Sequence, residues 1–316
     1  MSKSLRGGTV GVLCALILFV LACRAFPALS RAALECVSIP VMAALHSFTA
    51  RVPFPVAEPA ALILGSSLLT GLVRAALLSL SSRKPDPLRR WFSALTAVAL
   101  ILAAALILLW VPARARPFPA VPEPDTEQLT RLCEALIEAL NRSPLDFPAP
   151  SDALARAPAA AGLPDRVVKA VRYPEWMDLC HAWGLFVPLT GEALADAAEP
   201  APLIPFTAVH ELMHLGGVAD EGAANVAAWD RCLDAGGPFA DSARLWALRY
   251  AMGLLRQRDG DAWAKTSKNM NDALKRVYMA CGGDAGPAGP GYALLIQGDY
   301  AALACHLAGG GAVAEE

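Results

Sequence analysis

Residues 91–113 read WFSALTAVALILAAALILLWVPA and contain no charged side chain, while Arg90 and Arg114 stand at the two ends. A helix needs about 20 apolar residues to cross the hydrocarbon core of a bilayer. Trp91 and Trp110 lie near the two ends of the stretch, where aromatic rings favour the membrane interface. A buried core helix is the alternative, but most such helices are shorter. The stretch therefore predicts a membrane span.

The composition of the chain fits a protein that lies partly in a membrane. Of its 316 residues, 55% are hydrophobic and only 18% are charged, and the formal net charge is −2. Soluble domains contain about 25% charged residues, and disordered chains combine low hydrophobicity with high net charge. Because the sequence has no basic excess and no basic stripe, it also argues against a nucleic-acid partner.

Two further apolar segments precede the span at 91–112. The first covers about 7–27 after a short basic start, a pattern that signal peptides share with uncleaved helices. Because two more apolar segments follow, we interpret it as an uncleaved helix. The second covers 59–82. We therefore expect a membrane domain at 1–112 with three spans, and we expect residues 37–50 to lie on the membrane surface or to pack on the spans.

The distribution of lysine and arginine predicts the orientation of these spans. The short loop between the second and third spans is crowded with basic residues, namely Arg83, Lys84, Arg89 and Arg90. The positive-inside rule places such a loop in the cytoplasm. The loop at 24–58 and everything after residue 113 are then expected outside, although both also contain arginines.

The second part of the chain begins after a proline-rich stretch. Residues 113–125 contain four prolines, which predicts an extended linker. Beyond it, helical periodicity predicts four main helices, at 126–141, 241–258, 261–280 and about 292–307. Residues 184–189 predict a short strand, and Pro188 confines that strand to the edge of a sheet.

His210-Glu211-Leu212-Met213-His214 is an HExxH motif. Two histidines four residues apart project from one helix face, so both imidazoles can reach one metal ion. Glu211 lies beside that face, where it can take a proton from metal-activated water and pass it to a leaving group. Thr207 is positioned to cap the start of this helix, and Gly216-Gly217 permits a sharp exit from it.

A catalytic zinc ion usually has three protein ligands and one water. Glu221 opens a new helical stretch, and Asn225 lies one turn further on the same face, where its amide can hold Glu221 in place. Asp220 is the competing third ligand, because the spacing HExxHxxGxxD is similar to the metzincin pattern. Either acid could instead cap a helix or stabilise its first turn. We favour Glu221, which gives His210, His214 and Glu221 as the predicted metal ligands.

Other polar residues leave alternatives open. Glu192 follows a tight turn and either faces the site or is a solvated loop acid, whereas His46 is interpreted as structural. The donors available to a transition-state oxyanion are His181, Arg249, Tyr250 and Tyr278, and the sequence does not choose among them. Six of the eight cysteines would lie outside, where either disulfides or buried free thiols are compatible with the pattern.

Three motifs resemble those of a bacterial family of membrane proteins of unknown function. Residues 52–58 (VPFPVAE) are similar to its F-P-F-S-x-x-E pattern, residues 184–193 (GLFVPLTGEA) to G-Y-x-x-P-F-T-G-E-A, and residues 204–214 (IPFTAVHELMH) match I-P-F-T-x-x-H-E-x-x-H in full. Members of this family have three N-terminal spans and an extracytoplasmic HExxH domain. The resemblance implies a zinc metallopeptidase without an established substrate.

The chain also departs from the pattern of that family. Leu215 stands where the family usually has Gln, and Ala223 replaces the second Glu of its E-x-E-A-N segment. The E-x-x-A-D/N spacing of other membrane gluzincins favours the first Glu, which is Glu221 here. The stretch at 271–275 (NDALK) is one residue shorter than the family's N-D-x-x-L-K, and the W-G-x-N-Y segment is reduced to residues 110–112 (WVP).

The expected fold is mainly α, with three N-terminal transmembrane helices followed by a mostly helical, zincin-like extracytoplasmic domain at 126–316. The expected function is that of an integral membrane zinc metallopeptidase, with Glu211 as general base, whose partners are a peptide or protein substrate and the lipid bilayer. Two alternatives remain: a non-catalytic membrane module, suggested by Ala223 and Leu215, and a metal-dependent hydrolase of a non-peptide envelope substrate.

Overall fold

The computed structural model of the chain describes residues 3–114, 124–180, 182–285, 303 and 306–308. It divides into two compact units. The first unit contains Met1–Arg116 and Val187–Gly191, and the second contains Pro117–Phe186 and Glu192–Glu316. Most of the linker predicted at 113–125, and most of the helix predicted at 292–307, lie outside the described residues.

The first unit is built from helices. They are α1 (Lys3–Ala25), α2 (Pro27–Ala33), α3 (Ile39–Thr49), α4 (Ala57–Ser82) and α5 (Asp86–Arg114). A π-helical turn at Leu34–Ser38 joins α2 to α3, so that Pro27–Thr49 forms one continuous helical segment.

Three helical segments of this unit are long and apolar enough to cross a membrane. They are Pro27–Thr49, Ala57–Ser82 and Asp86–Arg114, with 23, 26 and 29 residues. The prediction of three such N-terminal helices is confirmed, but its first member differs. The apolar stretch Thr9–Ala25 is shorter than these three, and residues 37–50 belong to a long helical segment. Pro27 explains the break, because its ring disfavours helical backbone at the preceding residue.

Serine side chains of the Pro27–Thr49 segment bond to the backbone of α5. Ser38 Oγ donates to Leu108 O at 2.9 Å, and Ser30 Oγ donates to Pro112 O at 2.7 Å. Pro112 lies inside α5 and has no N–H, so it cannot donate to Leu108 O four residues earlier. The Ser38 hydroxyl thus satisfies a carbonyl that the proline leaves open, which is essential where water is absent.

The turn Val187–Gly191 packs on α3 within the first unit. His46 Nδ1 donates to Gly191 O at 2.8 Å, and Thr49 Oγ1 donates to Thr190 O at 3.2 Å. Gly191 has φ +65°, and a Cβ there would lie 2.5 Å from Met42 O. His46 is buried and serves this contact, in agreement with the structural role predicted for it.

The second unit is also mainly helical. Its helices are α6 (Thr126–Arg142), α7 (Pro150–Ala160), α8 (Pro174–Cys180), α9 (Ile204–Leu215), α10 (Glu221–Ala235), α11 (Gly237–Arg258), α12 (Gly260–Ser267) and α13 (Asp272–Ala280). The predicted helices at 126–141 and 241–258 are confirmed. The one predicted at 261–280 is divided, because the side chain of Asn271 caps α13 by accepting a hydrogen bond from Leu274 N–H at 2.8 Å.

A small sheet accompanies these helices. Its strands β1 (Val168–Ala170), β2 (Gly184–Val187) and β3 (Glu192–Ala195) lie in the order β1-β3-β2, with β1 parallel to β3. Asp196 N–H donates to Trp183 O at 2.9 Å, as expected where β2 and β3 form a hairpin. β2 is therefore an edge strand that ends directly before Pro188, as predicted.

Helix α9, which contains HExxH, is the central helix of the second unit. All twelve of its residues are buried, and it packs on α7, α10, α11 and β3. The prediction that Thr207 caps this helix is wrong, because the helix already begins at Ile204 and the Thr207 hydroxyl donates back to Leu203 O at 3.0 Å. The apolar residues of 203–209 explain the earlier start, since they are buried on all sides.

The interpretation of Glu192 as a solvated loop acid is wrong. Its side chain is 1% exposed, and its Oε1 atom lies 2.7 Å from Nζ of Lys169, which is also buried. The pair joins β3 to β1, and the Glu192 carboxylate is therefore held by a buried cation and not by solvent. Because the two residues are 23 positions apart in the sequence, no local spacing pattern predicts that they pair.

The cysteines of the described part form no disulfide. Cys14, Cys23, Cys36, Cys133, Cys232 and Cys281 are free thiols. Cys133, Cys232 and Cys281 of the second unit are buried, as is typical of a free cysteine that packs like a small apolar side chain. This favours the alternative of buried free thiols for these three residues. The side chains of Cys180 and Cys305 lie outside the described residues.

We expect Lys169→Met to destabilise the protein by about 3–5 kcal/mol, because breaking a buried ion pair leaves the other charge uncompensated. Denaturant unfolding of the purified chain in detergent measures the effect. The double variant Lys169→Met/Glu192→Leu carries neither charge and should recover most of the lost free energy. A single variant as stable as the parent protein would contradict the structural role of this pair.

Candidate metal centre

His210 and His214 occupy adjacent turns of one face of α9. Both side chains are buried, and their ring centroids lie 4.6 Å apart at nearly perpendicular orientation. The Nε2 atoms of His210 and His214 lie 3.1 and 3.4 Å from the same oxygen, Oε2 of Glu221. The structure thus brings the three predicted ligand residues together, with their ligand atoms all within 4.8 Å of one another. This group could hold a metal ion.

The chain between α9 and α10 makes this convergence possible. Gly217 adopts φ +94°, a left-handed conformation that side chains disfavour. The chain therefore turns sharply after α9 and begins α10 at Glu221. Within the same turn, His214 Nδ1 donates to Val218 O at 2.6 Å. This hydrogen bond fixes the ring and leaves its Nε2 atom directed at the cluster.

Asp220 does not belong to the cluster. It is the N-cap of α10, where its Oδ1 accepts a hydrogen bond from Ala223 N–H at 3.0 Å. Of the two acids that follow the glycine bend, the structure therefore places Asp220 at the helix start and Glu221 against the imidazoles. The one-residue difference turns the two side chains in different directions around the start of α10.

Asn225 lies on α10 beside the cluster, one helical turn after Glu221. Its side chain is buried, and it acts to raise the pKa of the His210 imidazole. The expectation that this amide holds Glu221 in place stays a prediction.

The charges of the cluster are strongly coupled. Burial acts to raise the pKa of Glu221, but hydrogen bonds from His210 and His214 outweigh it and hold the pKa well below its usual range. Burial likewise acts to lower the pKa of His214, and Glu221 more than compensates, so the pKa rises to about 9. His210 has a lowered pKa because burial dominates there. Glu221 is therefore an anion held between two imidazoles.

Glu211 lies beside the cluster in a confined position. It is buried, and this burial raises the pKa of its carboxyl to about 8. Its Oε2 atom has no hydrogen-bond partner among the described residues. The backbone of Gly184 on β2 packs against it, and a Cβ at that position would lie 2.7 Å from Glu211 Cγ. The glycine is thus required by the close approach of the edge strand to the carboxylate.

Sequence reasoning missed several residues around the centre. Gly184 was quoted only as part of a motif, and Phe186, whose ring stacks on His214 at 6.5 Å between centroids, gave no separate signal. Val218 contributes only its carbonyl, which no side-chain pattern reveals. Among the oxyanion donors considered, Tyr278 donates to Asp284 at 2.5 Å, and His181 lies outside the described residues.

Comparison with protein families identifies a family model that covers most of the chain. A family model described as "Protein of unknown function (DUF3810)" matches residues 37–280, which include α9 and α10. No curated protein matches the chain, and no solved structure matches it either.

Substitution of the two neighbouring acids should separate their roles. We expect Glu221→Gln to lose stoichiometric divalent metal, because it removes the anionic member of the cluster. Asp220→Ala should retain the metal and lower the stability by about 1 kcal/mol, the usual cost of a lost N-cap. Elemental analysis and thermal unfolding of the purified variants check both results. Metal loss in Asp220→Ala with retention in Glu221→Gln would reverse the assignment.

Proposed function

The chain belongs to the DUF3810 family of unknown function, and we propose that it is an integral membrane zinc metallopeptidase that cleaves a peptide or protein outside the cytoplasmic membrane. The observation that carries this proposal is the convergence of His210, His214 and Glu221 beside Glu211. Two imidazoles, one ligating carboxylate and a neighbouring free carboxylate form the donor set of a catalytic zinc site.

The distances within the cluster fit zinc. A nitrogen and an oxygen that each lie about 2.1 Å from a tetrahedral zinc ion are about 3.4 Å apart. The distances from the two Nε2 atoms to Glu221 Oε2, 3.1 and 3.4 Å, agree with this separation. The orienting hydrogen bond from His214 Nδ1 to Val218 O is also typical of zinc ligands.

The residues of the chain divide the chemistry between them. A zinc ion held by the three ligands would supply Lewis acidity to the scissile carbonyl and to a water molecule. Glu211 accepts the proton of the attacking water on its carboxylate and then delivers it to the leaving amine. Gly184 restricts the space around Glu211, which keeps this carboxylate next to the cluster.

The edge strand β2 supports a peptide as substrate. In the described sheet, β2 has β3 on one side and no strand on the other. An extended peptide can bind such an edge by backbone hydrogen bonds. Because Gly184 on β2 contacts Glu211 and Phe186 on β2 contacts His214, a peptide that extends this sheet would run past the centre.

The departures that suggested a non-catalytic module do not touch the cluster. Leu215 is buried in the core at the end of α9, and Ala223 lies in the first turn of α10, where its N–H donates to Asp220. Neither residue supplies a ligand atom of the cluster formed by His210, His214 and Glu221. This favours the catalytic proposal over the alternative of a retained fold without activity.

We expect Glu211→Gln to retain zinc and to lower peptide hydrolysis by at least about 100-fold, as loss of a general base does. Mass spectrometry of a peptide library incubated with the purified full chain measures turnover, and comparison of envelope proteomes identifies substrates. Glu175→Gln, which alters an exposed glutamate on α8, is the matched control. An identical cleavage pattern in Glu211→Gln, or a wild-type protein without zinc, would remove the proposal.

The proposed outside location depends on the basic connection between α4 and α5. This connection stays cytoplasmic by the positive-inside rule, and α5 then leads outward whatever the path of α1. We expect alkaline phosphatase fused after Glu316 to be active in cells and the same reporter inserted at Lys84 to be inactive. The opposite pattern would place the second unit in the cytoplasm.

A further inference from the structure

Arg249 on α11 is a buried cation that forms no direct ion pair in the described part of the chain, although the carboxylate of Glu199 lies close enough to act to raise its pKa. Its side chain is 5% exposed. Nε donates to Gly283 O at 2.9 Å, whereas Nη1 is buried and has no hydrogen-bond partner among the described residues. The other buried basic side chain described, Lys169, is paired with Glu192 at 2.7 Å. Arg249 therefore differs from Lys169, because no carboxylate among the described residues contacts its guanidinium directly.

Two tryptophan rings hold the guanidinium. Its central carbon lies 4.8 Å from the ring centroid of Trp183 and 5.8 Å from that of Trp246. Cation–π contacts stabilise a desolvated guanidinium, but they offset only part of the cost of removing it from water. The remaining cost is reduced when an anion binds, which is a reason for keeping such a residue at a binding site.

Both tryptophans connect Arg249 with the candidate metal centre. Trp183 directly precedes Gly184, whose backbone packs on Glu211. Trp246 lies 5.6 Å from Phe206 between ring centroids, and Phe206 lies 6.4 Å from His210. The rings that contact Arg249 thus adjoin residues that pack directly on Glu211 and His210.

We propose that Arg249 binds the carboxylate of an acidic substrate, which makes the protein selective for peptides with a glutamate or aspartate side chain or with a free C-terminus near the cleaved bond. The identification of this ligand as a substrate rests on the proposed peptidase function, whereas carboxylate binding itself does not. A guanidinium presents a planar array of donors that matches a carboxylate in charge and geometry. The uncommitted Nη1 supplies such a donor.

The backbone that covers the guanidinium must move when the carboxylate binds. Gly283 accepts the Nε hydrogen bond, and a Cβ at Gly282 would lie 3.5 Å from Nη2. Both glycines have left-handed φ values, +86° and +65°. The covering turn thus contains no side chain at these two positions, although Asp284, the next residue, pairs with Arg256 and accepts a hydrogen bond from Tyr278.

Binding can be measured without turnover. The full chain, as its Glu211→Gln variant, is titrated in detergent with the blocked tripeptide acetyl-Ala-Glu-Ala-amide, with its glutamine counterpart, and with acetyl-Ala-Ala-Ala carrying a free carboxylate. Calorimetry gives the affinity, and tryptophan fluorescence reports on the rings beside Arg249. We expect at least one charged peptide to bind 10-fold or more tightly than the neutral one, and the two charged peptides distinguish a side chain from a terminal carboxylate.

Two substitutions on α11 test the assignment to this residue. Arg249→Gln should abolish the preference for the charged peptide. Arg244→Gln is the matched control and should keep it, because Arg244 lies on the same helix and pairs with Asp241 of that helix at 3.5 Å. Retention of the preference in Arg249→Gln would overturn the proposal, as would equal binding of charged and neutral peptides by the parent protein.

Stability provides a second readout that separates binding from a structural role. Because Arg249 is buried without an ion-pair partner among the described residues, Arg249→Met should leave the melting temperature unchanged or raise it. A marked decrease would show that the side chain serves the fold. Carboxylate preference without any peptide cleavage would retain this site and reject the peptidase, whereas cleavage without preference would do the reverse.

Discussion

The carboxylate of Glu221 between two imidazoles is the interaction on which the second unit depends. Its Oε2 atom lies within 3.4 Å of the Nε2 atoms of both His210 and His214. Both histidines lie on α9, a helix whose residues are all buried. An unpaired polar atom is costly in such a position. The glycine bend at Gly217 brings the acid back to the helix it has just left. Core packing, turn geometry and charge pairing therefore lead to one cluster, which a metal ion could occupy.

The same constraint explains polar groups elsewhere in the molecule. Ser38 satisfies the carbonyl that Pro112 leaves open in α5, and Lys169 neutralises Glu192 between two strands. In each case a buried polar atom receives a partner from a distant part of the chain. Arg249, which lies beside Trp183 and Trp246, has no direct ion pair among the described residues, and this difference is the basis of the proposed carboxylate site.

The family match extends from residue 37 to residue 280. It includes the α4 and α5 helices, the edge strand β2 and the whole His-His-Glu cluster, so the apolar helices and the candidate centre belong to one family architecture. The two departures from the family's usual motif, at Leu215 and Ala223, fall on positions that contribute core packing and a helix N-terminus. The chain can therefore vary there without changing the atoms that face the cluster.

The sequence by itself determined what depends on local periodicity. Apolar length predicted helices able to cross a membrane, and the spacing of HExxH placed two imidazoles on one helix face because a helix turns every 3.6 residues. Only the tertiary structure decided between Asp220 and Glu221 and paired Glu192 with Lys169. It also showed that Pro27–Thr49 forms one long segment and that Gly184 closes on Glu211. These outcomes depend on which distant segments pack together, and residue spacing within one segment does not encode that choice.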